Sequence, residues 1–176
     1  MNKALAPILL AVAGAAHADY TVDMKSINES GQGASIGTVT ITANPAGGVT
    51  FTPKLKGLPA GQRGFHVHEN ASCGPAEKAG KVVAGEAAGA HWDPDKSGKH
   101  GSPKGPGHRG DLPALEVAAD GSATKAVTAP RLKLADLSRK SLMIHGGGDN
   151  YSDSPKPSGG GGDRIACGLI RAKSGP

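Results

Sequence analysis

Residues 64–68 read Gly-Phe-His-Val-His, a spacing that can do metal chemistry. In a β-strand, side chains two apart project from the same face. His66 and His68 would share one face, with Val67 on the other. Two neighbouring imidazoles on a pleated surface are half of a metal site. Beyond residue 18 the histidines are His66, His68, His91, His100, His108 and His145. All fall in three glycine-flanked segments: GFHVH, GAHWDPDKSGKHGSPKGPGHRGDLP and MIHGGGD. Glycine lets backbone approach a centre closely and adopt dihedrals closed to other residues.

The donor types divide into two sets. His100, His108 and Asp111 with one more nitrogen make a four-coordinate N/O site, which suits zinc. His66, His68 and His145 with one further imidazole make an all-nitrogen tetragonal site, which suits copper. Only His91 is left over, and each set wants a fourth ligand. Imidazole has two nitrogens, but spacing alone does not establish that His91 serves both ions.

Short strands must position these residues. Eight strand-like runs are legible: YTVDMKSI, ASIGTVTITA, GGVTFTPKLKGL, RGFHVHE, LPALEVAAD, SATKAVTAPRLK, SLMIHG and RIACGLIRA. NPAGG and ADGS are turn sequences between such runs. Only RLKLADLSRK could form a brief helix, about one turn long. Eight short strands without helical periodicity predict an antiparallel barrel or sandwich. Two polar, Gly/Pro-rich stretches, 69–111 and 146–163, interrupt the pattern, and long loops in a compact domain are usually functional or disordered. The first carries His91, His100 and His108.

The chain opens with Lys3, an apolar run from Ala4 to Ala13, and Ala16-His17-Ala18. That layout predicts a secretory leader over residues 1–18, with a mature domain over 19–176 and export to the periplasm. The run is too short to span a bilayer, and no second one follows. Loss of Lys3 leaves 19 basic against 15 acidic residues, a formal charge of +4. Positive residues are scattered among acids and aromatics are only 3%. Stacking platforms for bases are therefore missing, and no nucleic-acid partner is expected. In an exported chain the two cysteines, Cys73 and Cys167, most simply make one disulfide.

The motifs GFHVHE, GAHWDPDKSGKH, GHRGDLPAL, MIHGGGDNYSD and GGGGDRIACG resemble those of copper,zinc superoxide dismutases of the bacterial exported type, over nearly all of residues 20–171. The resemblance implies an all-β fold, an eight-stranded antiparallel Greek-key β-barrel or sandwich with two long functional loops. It implies that His66, His68 and His145 bind copper, that His91 bridges copper to zinc, and that His100, His108 and Asp111 complete the zinc site. Asp149 matches an aspartate linking a copper histidine to a zinc histidine, here His66 and His100. Arg164 matches the arginine that orients the anionic substrate. Cys73 and Cys167 match the disulfide that ties the first loop to the barrel.

The implied activity is dismutation of superoxide to dioxygen and hydrogen peroxide, with copper and zinc as cofactors. The alternative is a copper/zinc buffer or chaperone module of the same fold without turnover, which would need neither Arg164 nor a bridging His91. Lys156 is the candidate for steering the anion, with Lys104 and Arg109 weaker ones. Ala90, Trp92, Arg109 and Asp163 depart from the family pattern. Asp163, next to Arg164, should weaken the local attraction unless it points away. The stretch GSPKGPG between His100 and His108 offers no aromatic anchor for a subunit contact, which favours a monomer over a homodimer.

Overall fold

A computed structural model describes residues 20–171, so the leader expected over residues 1–18 lies outside the described residues. The elements are β1 (Tyr20–Asn28), β2 (Gly31–Ala43), β3 (Val49–Leu55), β4 (Gly61–Arg63), β5 (Phe65–His68), β6 (Ala76–Lys78), β7 (Lys81–Val83), β8 (Leu115–Val117), β9 (Val127–Ala129), β10 (Lys140–His145) and β11 (Arg164–Ile170). Single 3₁₀ turns lie at Glu86–Ala88, Leu134–Leu137 and Ser158–Gly160. Among the described residues, no helix is long and apolar enough to cross a membrane.

All eight expected runs contain strand, and the one expected helical turn is present in RLKLADLSRK. Strands β4, β6 and β7 were not foreseen. The fold is an antiparallel β-sandwich or half-barrel rather than a closed eight-stranded barrel. One sheet holds seven strands in the order β5-β10-β11-β1-β2-β3-β9, while β4 pairs only with β8 and β6 only with β7. The physical reason is a break at Gly64. Its N–H donates to Gly147 O (2.8 Å) and its carbonyl accepts from His145 N–H (2.9 Å). With Gly64 tied to the second loop, β4 turns to β8 and β5 turns to β10. On the opposite side only one isolated bridge, Leu55 to Ala123, joins β3 to the segment after β8.

Alternation explains which side is packed. Tyr20, Val22 and Met24 of β1, Val49, Phe51 and Leu55 of β3, and Phe65 and Val67 of β5 are buried in the main core. The Phe51 and Phe65 rings meet edge to face at 5.7 Å. On β5 the residues between these, His66 and His68, face the other way and are also buried. Their cross-strand partners are Met143 and Ser141 of β10. The long loop covers this second face and builds a smaller apolar cluster of Ile27, Cys73, Ala88, Met143 and Cys167. The Cys73–Cys167 disulfide, with Cα atoms 5.7 Å apart, fastens that loop to β11. It closes a loop across 94 positions, worth roughly 4–5 kcal/mol in the chain-entropy account.

Strand β5 is an edge of the seven-stranded sheet, and an unpaired edge exposes a row of backbone donors and acceptors. The first long loop satisfies them. Trp92 N–H donates to Val67 O (2.8 Å), Val67 N–H to Gly110 O (2.9 Å), and Gly110 N–H to Trp92 O (2.9 Å). A Cβ at Gly110 would lie 2.2 Å from Val67 O, so only glycine fits. Gly110→Ala is therefore expected to cost about 1–3 kcal/mol through overpacking. Val82→Ala, at a half-exposed side chain, should stay within about 0.5 kcal/mol. Equilibrium denaturation of the two variants checks this; a G110A protein as stable as its parent would mean that the loop does not clamp the edge.

Candidate metal centre

Edge pairing is what brings distant residues to the two strand histidines. His91 forms a backbone bridge with His68, and Asp111 forms one with His66. His145 ends β10, where a register shift after Ile144 sets it opposite Arg164. Such bulges re-aim side chains beside functional sites. His100 and His108 arrive from the same loop as His91, and Asp149 from the second loop. His66, His68, His91, His100, Asp111, His145 and Asp149 are all buried, and His108 is half-buried.

Each buried ring gives one N–H away. His68 Nδ1 donates to Gly89 O (2.9 Å) and His145 Nδ1 to Gly162 O (3.2 Å). His66 Nε2 donates to Asp149 Oδ2 (2.7 Å) and His100 Nε2 to Asp149 Oδ1 (2.8 Å). The remaining nitrogens, His66 Nδ1, His68 Nε2, His100 Nδ1 and His145 Nε2, are buried without a hydrogen-bond partner. His100 Nδ1 lies 3.0 Å from Asp111 Oδ1, near enough in distance but misaligned for a hydrogen bond. Buried polar atoms are rarely left unpaired. Here the unpaired ones are lone pairs on the preferred ligand of transition metals.

Two groupings of ligand atoms lie within 4.8 Å of one another: His66, His68, His91, His145, and His66, His91, His100, Asp111. The first is all nitrogen, which fits copper. His66 appears in both, yet its Nε2 is committed to Asp149, so Nδ1 can serve only one. His108 falls outside the second grouping, but its Nδ1 lies 3.3 Å from Asp111 Oδ1. His91 Nδ1 is 2.9 Å from that same oxygen. Three Nδ1 atoms thus surround Asp111 Oδ1 at 2.9, 3.0 and 3.3 Å. Tetrahedral zinc with bonds of about 2.0–2.1 Å spaces its ligand atoms about 3.3 Å apart. The N₃O set fits zinc.

Protonation divides the two halves. Burial, reinforced by neighbouring imidazoles, pushes His66 and His68 well below the usual imidazole range. Burial also pulls His145 down to about 4. His91 is lowered by burial against the opposing bond to Asp111. Burial acts the same way on His100, but the carboxylates of Asp111 and Asp149 outweigh it and raise it to about 9. The bond to Asp111 raises His108. Burial disfavours the Asp111 carboxylate, yet the imidazoles of His100, His108 and His91 gathered around it hold it far below the usual range.

Glycines admit this network. A Cβ at Gly159, whose φ is +72°, would sit 2.1 Å from Asp149 Oδ1 and 2.7 Å from His100 Nε2. Arg164 is half-buried and fastened at NH1 to Gly85 O (2.6 Å) and at NH2 to Gly89 O (2.9 Å). His91, His108, His145 and Arg164 line one open cleft. Lys156 is exposed beside that cleft, not in its lining. Arg109 is held bidentately by Asp95, at 2.7 Å on both arms, which offsets its charge. Lys104 is exposed, and so is Asp163. Trp92 packs against the main core, with Lys140 Nζ 5.6 Å from its ring centroid. Sequence reading passed over Glu86, Lys78 and Lys81 in the cleft, and the carbonyls of Gly85, Gly89 and Gly162. The only signal for the carbonyls was the glycine flanking itself.

Residues 35–170 match the family described as copper/zinc superoxide dismutase (SODC). The chain is 58% identical over 164 residues to superoxide dismutase (Cu-Zn) 2 of Salmonella typhimurium, covering 93% of this chain and 94% of that protein. It is 55% identical over 169 residues to the Cu-Zn superoxide dismutase of Escherichia coli, covering 95% and 97%. The solved Cu/Zn superoxide dismutase of Brucella abortus superposes with a TM-score of 0.85 at 51% identity, over 87% of this chain and 99% of that one. The solution structure of the monomeric copper, zinc superoxide dismutase from Salmonella enterica gives 0.78 at 56%, over 88% and 100%. With the ligand geometry and the matched length in agreement, this chain belongs to the copper/zinc superoxide dismutase family.

Proposed function

We propose that the chain converts two superoxide anions and two protons to dioxygen and hydrogen peroxide at a centre held by named atoms. His66 Nδ1, His68 Nε2, His145 Nε2 and His91 Nε2 would hold copper. His91 Nδ1, His100 Nδ1, His108 Nδ1 and an Asp111 oxygen would hold zinc. The observation that carries this reading is the set of four buried imidazole nitrogens without partners, each on a ring whose other nitrogen is already fixed. When bound, copper supplies one-electron redox chemistry, and zinc, which has none, supplies fixed positive charge beside the shared ring.

The chain's own residues do the rest. Arg164 presents an always-charged guanidinium that can donate hydrogen bonds to a small anion. His91 can hold a proton at Nε2 and release it to the departing oxygen species, while its Nδ1 side is fixed by the Asp111 cluster. Asp149 ties His66 to His100 and keeps both rings in one tautomer, as outer partners of metal ligands do. Lys156 adds positive potential near the cleft mouth, and fields focused into a cleft raise anion on-rates. Export to the periplasm after loss of residues 1–18 accords with the disulfide, since structural disulfides persist in oxidising compartments. A monomer is supported by the described surface, whose one exposed large hydrophobic is Val82. The Salmonella enterica relative is also described as monomeric.

Loaded with both metals, the wild-type protein is expected to consume superoxide, and His91→Ala to lose that activity. Zinc affinity in H91A should fall by more than about 100-fold, since outer partners alone are worth 10–100-fold. Full metal occupancy without superoxide consumption in the wild type would leave the buffer reading standing.

Metal uptake should respond to pH differently at the two sets. Ligands must be deprotonated to bind. His100 carries a proton below about 9, so zinc uptake has to displace it. Falling pH should therefore weaken zinc binding about tenfold per unit per displaced proton. His66 and His68 are held neutral by burial, and His145 down to about 4. Copper binding should fall less steeply between pH 8 and 5, through the one proton that a shared His91 ring gives up, so acidification is expected to release zinc first. Competitive chelator titrations at each pH check the order, and parallel loss of both metals contradicts it.

Arg164→Glu should leave metal content unchanged and slow turnover at low salt by roughly 10–100-fold, the worth of a charged hydrogen bond. An unaltered rate would remove Arg164 from anion capture.

A further inference from the structure

The acid that meets Arg164 is not Asp163, its neighbour in sequence. It is Glu86, from the first long loop. The turn Glu86–Ala88 is flanked by two glycines at positive φ, Gly85 at 65° in the left-handed conformation and Gly89 at 76°. The carbonyls of those two glycines accept from Arg164 NH1 and NH2. Glu86, between them, places Oε2 3.4 Å from Arg164 NH2. Its other oxygen, Oε1, lies 2.9 Å from Lys78 Nζ at the end of β6. One short turn therefore cradles the guanidinium with two neutral dipoles and one full negative charge, and that charge is shared with a second cation.

The dipoles and the carboxylate do different things. Two glycine carbonyls already fix the arm of Arg164 in place, so Glu86 is not needed to aim it. What Glu86 adds is charge. The side chains of Arg164 and Glu86 are only 12% and 18% exposed, so solvent screens this pair less than a surface pair. All three side chains line the cleft that also contains His91 and His145. Asp163 lines the same cleft but is exposed and makes no ion pair among the described residues.

Building on the reading of Arg164 as the anion-binding group, we propose that Glu86, acting through the charge of Arg164, sets the anion affinity of the centre. Its carboxylate, divided between Arg164 and Lys78, moderates the pull of the guanidinium. A substrate that carries one negative charge and must turn over quickly gains nothing from tight binding in the ground state. Resident inorganic anions, which do not react, would occupy an untempered arginine and block it. Glu86 thus keeps monoanions, reactive and inert alike, from lingering on the arginine.

The test uses the metal-loaded protein and azide as the probe anion. Glu86→Gln keeps the shape and an acceptor oxygen but removes the charge. Its azide dissociation constant, read from copper absorbance, is expected to fall roughly three- to tenfold. Its kcat/KM should exceed wild type at low ionic strength and converge with it at high salt. Glu86→Asp keeps the charge on a shorter arm and should retain azide affinity near wild type. If E86Q binds azide as the wild type does and shows the same salt dependence at equal metal content, the proposal is overturned. Should E86Q load metals poorly, E86D decides: an azide affinity raised as far as the charge-free variant was expected to show would also overturn it. Failure of the wild type to turn over would sink the dismutase reading, while the azide comparison would still judge Glu86.

Discussion

A neutral imidazole has two nitrogens and one hydrogen, and at the heart of this molecule the fold fixes where that hydrogen goes. Carbonyls of Gly89 and Gly162 and both oxygens of Asp149 take the N–H groups of His68, His145, His66 and His100. The other nitrogens are left without partners beside the cleft. A buried polar atom left unpaired costs about 1–3 kcal/mol, and four such nitrogens lie within one small volume. The metal-free fold carries that penalty. Cation binding removes it, so metal loading and folding stability are one linked equilibrium. The main core and the disulfide hold the chain together while the penalty stands.

A network of this kind demands two long loops rather than a closed barrel. Ligands on adjacent strands can supply only neighbours on one face, as His66, His68 and His145 do. The remaining donors must come down onto that face from outside. The free edge of β5 receives them, because its unpaired backbone groups hold Trp92 and Gly110. Closing the barrel through β5 would occupy the same hydrogen bonds and displace His91 and Asp111. The break at Gly64 and the open edge thus belong to the function of the sheet.

Much of this was readable in the chain. Period-two alternation predicted that His66 and His68 share a face, and all eight runs became strands. Donor chemistry alone separated a nitrogen-rich set from a mixed set. Resemblance supplied the bridging position for His91, which spacing had left open. What stayed hidden was non-local pairing. Nothing near Gly64 announces that its backbone is claimed by residues 145 and 147. Nothing in a three-residue run such as Ala76–Lys78 outweighs its polar surroundings, so the hairpin inside the first loop was missed. Eight runs implied eight paired strands, but pairing depends on which edges other segments occupy.

Charge near Arg164 shows the same limit in its sharpest form. Sequence adjacency pointed to Asp163 as the acid that would blunt the arginine. Asp163 is exposed and makes no ion pair with Arg164 among the described residues. The acid that matters sits 78 positions earlier, delivered by a turn whose glycines have no side chains to obstruct the guanidinium. A Cβ at Gly85 would stand 2.7 Å from Ile27 Cδ1 and 3.3 Å from Arg164 Cδ. The arginine can be reached from that side only because the turn is stripped to backbone. Electrostatics at a buried centre is therefore set by which loop backbone can come close enough, and glycine placement decides which distant charge becomes a neighbour.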